Sequence, residues 1–154
     1  MNIRGRQKAR GKGKKYSDEQ AWSLHSFMAA DIASGLRQFR KVNVNSFPGR
    51  TPMDTSEKWH AAVDEMIWAF DQINKDYSGS PRWTHWSKWH DEHPEAFKPN
   101  NFFKEVVDGE SKVIQLDNCS YEEPVGIDKQ EEEYYKRIHA GLRLFSDWYQ
   151  DLWD

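Results

Sequence analysis

Between Ser17 and Lys41, apolar residues recur at spacings of three and four: Leu24, Met28, Ile32, Leu36 and Phe39, with Phe27 alongside. That is the period of an amphipathic helix. Ser17 and Gln20 are spaced for a capping box, in which each side chain satisfies the other residue's backbone N–H. Asp18 and Glu19 suit the positive end of the helix dipole, and Arg40 and Lys41 suit the negative end. Asn43, Asn45, Pro48 and Gly49 then read as a loop. A second helix begins at Asp54, Thr55 or Ser56, with Glu57 three residues after Asp54. Trp59, Val63, Met66, Ile67, Phe70 and Ile73 carry its stripe, and it ends before Ser78-Gly79-Ser80-Pro81. A third helix runs from about Lys129 to the chain end. Its stripe is Tyr135, Ile138, Leu142, Phe145, Trp148 or Tyr149, and Leu152, and Glu131 to Glu133 lie near its N-terminus.

Residues 76–128 follow neither period. Pro81, Pro94, Pro99 and Pro124 exclude a long helix. Trp83, Trp86, Trp89, His90 and His93 recur at helical spacing and predict a short aromatic helix. Residues 102–116 alternate like two strands joined at Asp108-Gly109, a common hairpin turn pair. An isolated hairpin is marginal in water, so it must lean on something. The fold class expected is mainly α: a three-helix core within one domain, 16–154. An irregular insertion at about 76–128 would hold the short helix and the β-hairpin.

Composition supports a folded chain. Of 154 residues, 14% are aromatic, including eight Trp, a payload that disordered chains lack. No run of eighteen apolar residues occurs, and no apolar segment follows the basic start, so neither a membrane span nor a secretory signal is expected. The single Cys119 excludes an intramolecular disulfide framework and fits a reducing compartment. Its acidic neighbourhood opposes activation as a nucleophile.

The net charge of −3 conceals an uneven layout. Arg4, Arg6, Lys8, Arg10, Lys12, Lys14 and Lys15 stand without an intervening acid and alternate with glycines. Residues 1–15 therefore read as a flexible basic arm on a body left near −10. Such an arm binds phosphates by counterion release, without sequence preference. The plainer reading is a solubilising terminus, or one drawn to its own acidic body.

Two stretches share the pattern I-x-x-G-L-R-x-F, at 32–39 and 138–145. Amphipathicity explains the apolar positions, but glycine within a helix costs up to about 1 kcal/mol against alanine. Close helix packing at Gly35 and Gly141 is one reason for it. The other is a pseudo-symmetric site in which Arg37 and Arg143 hold a shared anion through their planar forks.

The segments 16–39, 57–73 and 141–154 (YSDEQAWSLHSFMAADIASGLRQF, EKWHAAVDEMIWAFDQI and GLRLFSDWYQDLWD) resemble small uncharacterised proteins of tailed bacteriophages. The likeness covers the three helices and leaves out the arm and the insertion. It implies a virus-encoded accessory protein acting in the cytoplasm of a bacterial host cell, and brings no activity or site residue with it.

Enzymatic readings rest on thinner patterns. His60, Asp64 and Asp71 share one helix face and, with Asp31, could hold a divalent metal. The plain alternative is a solvated face with a local His–Asp contact. Asp31 lies near the predicted apolar stripe, where a carboxylate needs a partner such as Arg37 or Arg143. His85, His90 and His93 lack the cysteines or second spaced pair usual for zinc. Phosphate-binding loops, the dinucleotide fingerprint, the nucleophile elbow and the H-E-x-x-H motif are all missing from the sequence.

Trp83, Trp86 and Trp89 suit internal packing, a partner interface or base stacking. Trp148, Tyr149 and Trp153 suit either the core or a dimer seam. The reading carried forward is a non-enzymatic protein without a cofactor that binds, and blocks or sequesters, a host or viral macromolecule. A second copy of the chain is a further candidate partner. The alternatives are a nucleic-acid or nucleotide binder using the arm and Arg37/Arg143, and a metal-dependent hydrolase.

Overall fold

Ser17 forms the expected capping box: its Oγ accepts from the Gln20 N–H at 3.2 Å, and Gln20 Oε1 accepts from the Ser17 N–H at 3.0 Å. In the computed structural model, which describes residues 17–94 and 121–152 and the backbone of 102–107 and 110–115, this box opens α1 (Asp18–Trp22). The first helix is not continuous. The chain breaks at Ser23 (φ −111°, ψ 36°) and restarts as α2 (Leu24–Val42). Helix α1 buries none of its residues, so no packing holds the two segments in line. A serine at the junction is a weak helix former that also competes for the local backbone.

Helix α3 (Ser56–Asn74) takes Thr55 as its N-cap, with Thr55 Oγ1 accepting from the Lys58 N–H at 3.3 Å. Asp54 is instead engaged by Lys58 Nζ at 2.6 Å. Ser80 caps α4 (Pro81–Glu92), whose first residue is proline, a position where the missing N–H costs nothing. Helix α5 (Ile127–Trp148) starts two residues earlier than the sequence suggests, after Gly126 in the left-handed region (φ 82°). Ile127 is buried, which ties that first turn down. At the far end α5 stops at Trp148 and passes into a 3₁₀ turn at Tyr149–Asp151 rather than running on as α-helix.

The architecture is mainly α. Helices α2 and α5 both pack along α3, and α4 rests on α5. Trp59, Val63 and Met66 of α3 are fully enclosed, joined by Ala62, Ala69, Phe70 and Ile73. Phe39 and Trp148 meet the Trp59 ring edge-on, at centroid distances of 6.2 and 6.0 Å, which assigns Trp148 to the core rather than to a seam. Trp153 lies outside the described residues. The buried face of α2 is Ala29, Ala33 and Leu36, with Ile32 and Phe39 packed beside it. Leu24, Phe27 and Met28, expected to face inward, are exposed. The two alanines let α2 approach α3 closely, which turns the larger side chains of its first turns outward.

The hairpin expected across 102–116 is not shown. Its Asp108-Gly109 turn and the side chains of its flanking segments lie outside the described residues, as do the basic arm and Cys119. Among the described residues, no helix is long and apolar enough to cross a membrane.

Candidate functional site

Helix α4 carries Trp83, Trp86 and Trp89 within twelve residues, yet none of its residues is buried. Its N-terminus is fixed by ionic contacts instead. Glu131 Oε2 on α5 accepts from the Arg82 backbone N–H at 2.9 Å, satisfying a first-turn donor that has no partner within the helix. The Arg82 guanidinium meets Glu123 at 2.8 Å and Asp128 at 2.6 Å. The Glu123 hydrogen bond, followed by the charge of that carboxylate, raises the Arg82 pKa further above its ordinary value. Arg82 thus pins α4 to the start of α5 and to the segment just before it.

The rings above this anchor form an aromatic ladder. Trp83 lies 5.0 Å from Trp86, and Trp86 lies 5.2 Å from His90, both pairs tilted by 33°. Trp89 stacks on His93 at 4.9 Å and meets Tyr121 at 5.6 Å. Each is within the usual range for ring pairs. Beneath Trp83 and Trp86 opens a cleft of about 400 Å³, closed by Tyr121, Glu123 and Glu131. Its Tyr121 hydroxyl is shielded from solvent and has no hydrogen-bond partner among the described residues. Trp83, half-exposed, also lines a second hollow of about 410 Å³ beside Ser87 and Lys88. The cleft thus joins three aromatic rings, Trp83, Trp86 and Tyr121, to the charged groups of Arg82, Glu123 and Glu131.

Other residues singled out in the sequence are placed differently. Arg37 reaches across from α2 to the carboxylate of Asp71 on α3. Arg143 stands exposed on α5, a helix that packs on α3 rather than along α2. The two arginines thus do not converge along one helix contact. Gly141 makes the expected close approach, since a Cβ there would lie 2.5 Å from Ala69 Cβ and 2.8 Å from the Glu65 carbonyl oxygen. Among the described residues Gly35 does not: a Cβ there would meet nothing within 4 Å. The shared pattern therefore serves two different environments.

The carboxylates considered for a metal are engaged elsewhere. Asp71 holds Arg37, Asp64 accepts from Arg40 Nε at 3.2 Å, and His60 Nε2 donates to the Asn43 carbonyl at 3.0 Å. Asp31 is exposed rather than set in the apolar stripe. Among the described residues, no group of three His, Cys, Asp or Glu side chains is arranged to hold a metal ion. His93 is the C-cap of α4 and its Nδ1 donates to the Trp89 carbonyl at 2.9 Å, while His85 is exposed.

Arg82, Tyr121 and Glu123 went unnoticed in the sequence, and Glu131 stood out there only as one of three acids near the start of the third helix. Ser80-Pro81 marks where α4 starts, but only the fold reveals that this start lies against α5. Comparison with protein-family models, with curated proteins and with solved structures finds no match.

Proposed function

We propose that this chain is a non-enzymatic binding protein whose α4 face receives a macromolecular partner. The observation that carries this reading is a helix with three tryptophans and no buried residue, standing outside a core already completed by α2, α3 and α5. A tryptophan can bury about 250 Å², so a half-exposed ring leaves about 3 kcal/mol of apolar transfer energy unused at roughly 25 cal/mol per Å². A partner side chain seated between Trp83, Trp86 and Tyr121 would recover part of it. The likeness to tailed-phage proteins favours a host or viral component as that partner, blocked or sequestered by the contact.

The test is differential capture from phage-infected bacterial lysate, comparing the natural chain with a Trp83→Ala/Trp86→Ala variant. A specific partner should be held by the first and released by the second, with matching far-UV circular dichroism. Equal capture by both would remove α4 from the interaction. The seven cations at Arg4 to Lys15 support a second contact, with nucleic acid, whose affinity should fall steeply with salt.

A further inference from the structure

Helix α2 has a second face that the core does not use. Leu24, Met28, Asp31, Gly35, Gln38 and Val42 follow one another at alternating spacings of four and three, and all six are exposed. That alternation draws one continuous stripe along the full length of the helix. Phe27 borders it, and Trp22, on α1 just before the break at Ser23, has 90% of its surface exposed. Gly35 lies near the middle. Among the described residues nothing lies within 4 Å of a Cβ placed there, so no contact between those residues accounts for its cost to the helix.

We infer that α2 pairs with α2 of a second copy of this chain, antiparallel about a two-fold axis near Gly35. A two-fold contact needs a self-complementary patch, and this stripe has one. With the axis near its centre, Leu24 lies beside Val42 of the partner subunit at each end. Around the axis, Gly35 allows the two backbones to come close.

The area is sufficient. Trp22, Leu24, Phe27, Met28 and Val42 are 90, 39, 38, 45 and 66% exposed. For side chains of about 150–250 Å², this leaves roughly 500 Å² of apolar surface per copy. A stable interface takes about 800 Å² from each partner, of which about 60% is apolar. The five side chains therefore supply nearly the whole apolar share, and the polar rim comes from the rest of α2. This face is independent of the α4 cleft.

Sedimentation equilibrium of the full chain from about 1 to about 300 µM tests the pairing, a span that covers ordinary dimer affinities. The mass should rise from that of one chain to that of two. Gly35→Leu is the decisive variant, because its Cβ meets nothing within 4 Å among the described residues and leucine improves helix propensity, yet it wedges two copies apart. It should weaken the dimer at least about tenfold while the dilute chain melts no lower than the natural one. Met28→Glu should also dissociate the dimer, whereas Trp83→Ala should leave it intact.

A chain that stays monomeric throughout overturns the inference. Peroxide oxidation of Met28 then distinguishes a face covered by another part of this chain, where oxidation is slow, from one open to an unrelated protein. A Gly35→Leu dimer as tight as the natural one, or a dimer lost with Trp83→Ala, overturns it equally.

Discussion

Replacing Gly141 by alanine should destabilise the protein, although alanine is the better helix former by about 1 kcal/mol. The reason is geometric. The added methyl would lie 2.5 Å from Ala69 Cβ and 2.8 Å from the Glu65 carbonyl oxygen. Neither obstacle is the far end of a flexible side chain. One is backbone, and the other is bonded directly to it. Relief requires α5 to move away from α3, which loosens the Phe70–Phe145 contact at 4.9 Å and the fit of Ile138. Overpacking of this kind typically costs about 1–3 kcal/mol, and two contacts under 3.0 Å, one of them with backbone, put Gly141 in the upper half of that range, at about 2–3 kcal/mol. Against the propensity gain, the net loss should be about 1–2 kcal/mol, or about 2–8 °C in melting temperature for a chain of this length.

The same substitution at Gly35, where nothing lies within 4 Å, should raise stability by about 0.5–1 kcal/mol. Thermal and guanidinium unfolding at low micromolar concentration, where pairing between copies is minor, measures both variants. A Gly141→Ala protein as stable as the natural chain would refute the close approach. So would equal shifts at the two glycines.

Other outcomes follow from single contacts. Trp59→Ala removes the largest enclosed side chain and should cost about 3–5 kcal/mol in guanidinium unfolding. The Arg137 hydrogen bond, then its charge, holds the Glu65 carboxyl below its ordinary pKa of 4.5. The stability from that pair is therefore complete above the unfolded value and is lost as pH falls through the lower folded value. Glu65→Gln should flatten this acid limb by less than about 1 kcal/mol, because both partners are about half exposed. With His60, Asp64 and Asp71 already engaged, about 1 mM Mg²⁺, Mn²⁺ or Zn²⁺ should leave the melting temperature unchanged; a stabilising shift of several degrees would restore a metal role. Converting the seven arm cations to glutamine should abolish the salt-dependent part of nucleic-acid binding, read by fluorescence anisotropy.

The helices were legible because a local code specifies each one. The Ser17–Gln20 box, the stripe of α3 and the helical spacing of Trp83, Trp86 and Trp89 need no knowledge of the rest of the chain. What was hidden depends on pairs far apart in sequence. The spacing of His60, Asp64 and Asp71 correctly put them on one helix, but their engagement by Arg40, Arg37 and the Asn43 carbonyl comes from α2 and the loop after it. Likewise, a period of 3.6 residues marks Leu24, Met28 and Leu36 as apolar without saying which half of the stripe has a neighbour. Ala29 and Ala33 decided that, by letting α3 come close. The α4 cleft was only half visible: its tryptophans stand out in the sequence, while Tyr121 and Glu123 reach it through the return of the chain toward α5.

The contact of α5 with α3 spans the stretch between Asn74 and Ile127, and this separation makes the insertion an exchangeable cassette. Its ends are held by the core, so the entropy of closing the connection grows only logarithmically with length. Doubling the stretch would cost about 0.6 kcal/mol, less than one well-packed methylene. The same three helices could therefore carry a longer, shorter or wholly different segment between α3 and α5 and remain folded. Under the binding role proposed for α4, variation in what is recognised would then collect in that cassette while Trp59 and its neighbours stay fixed.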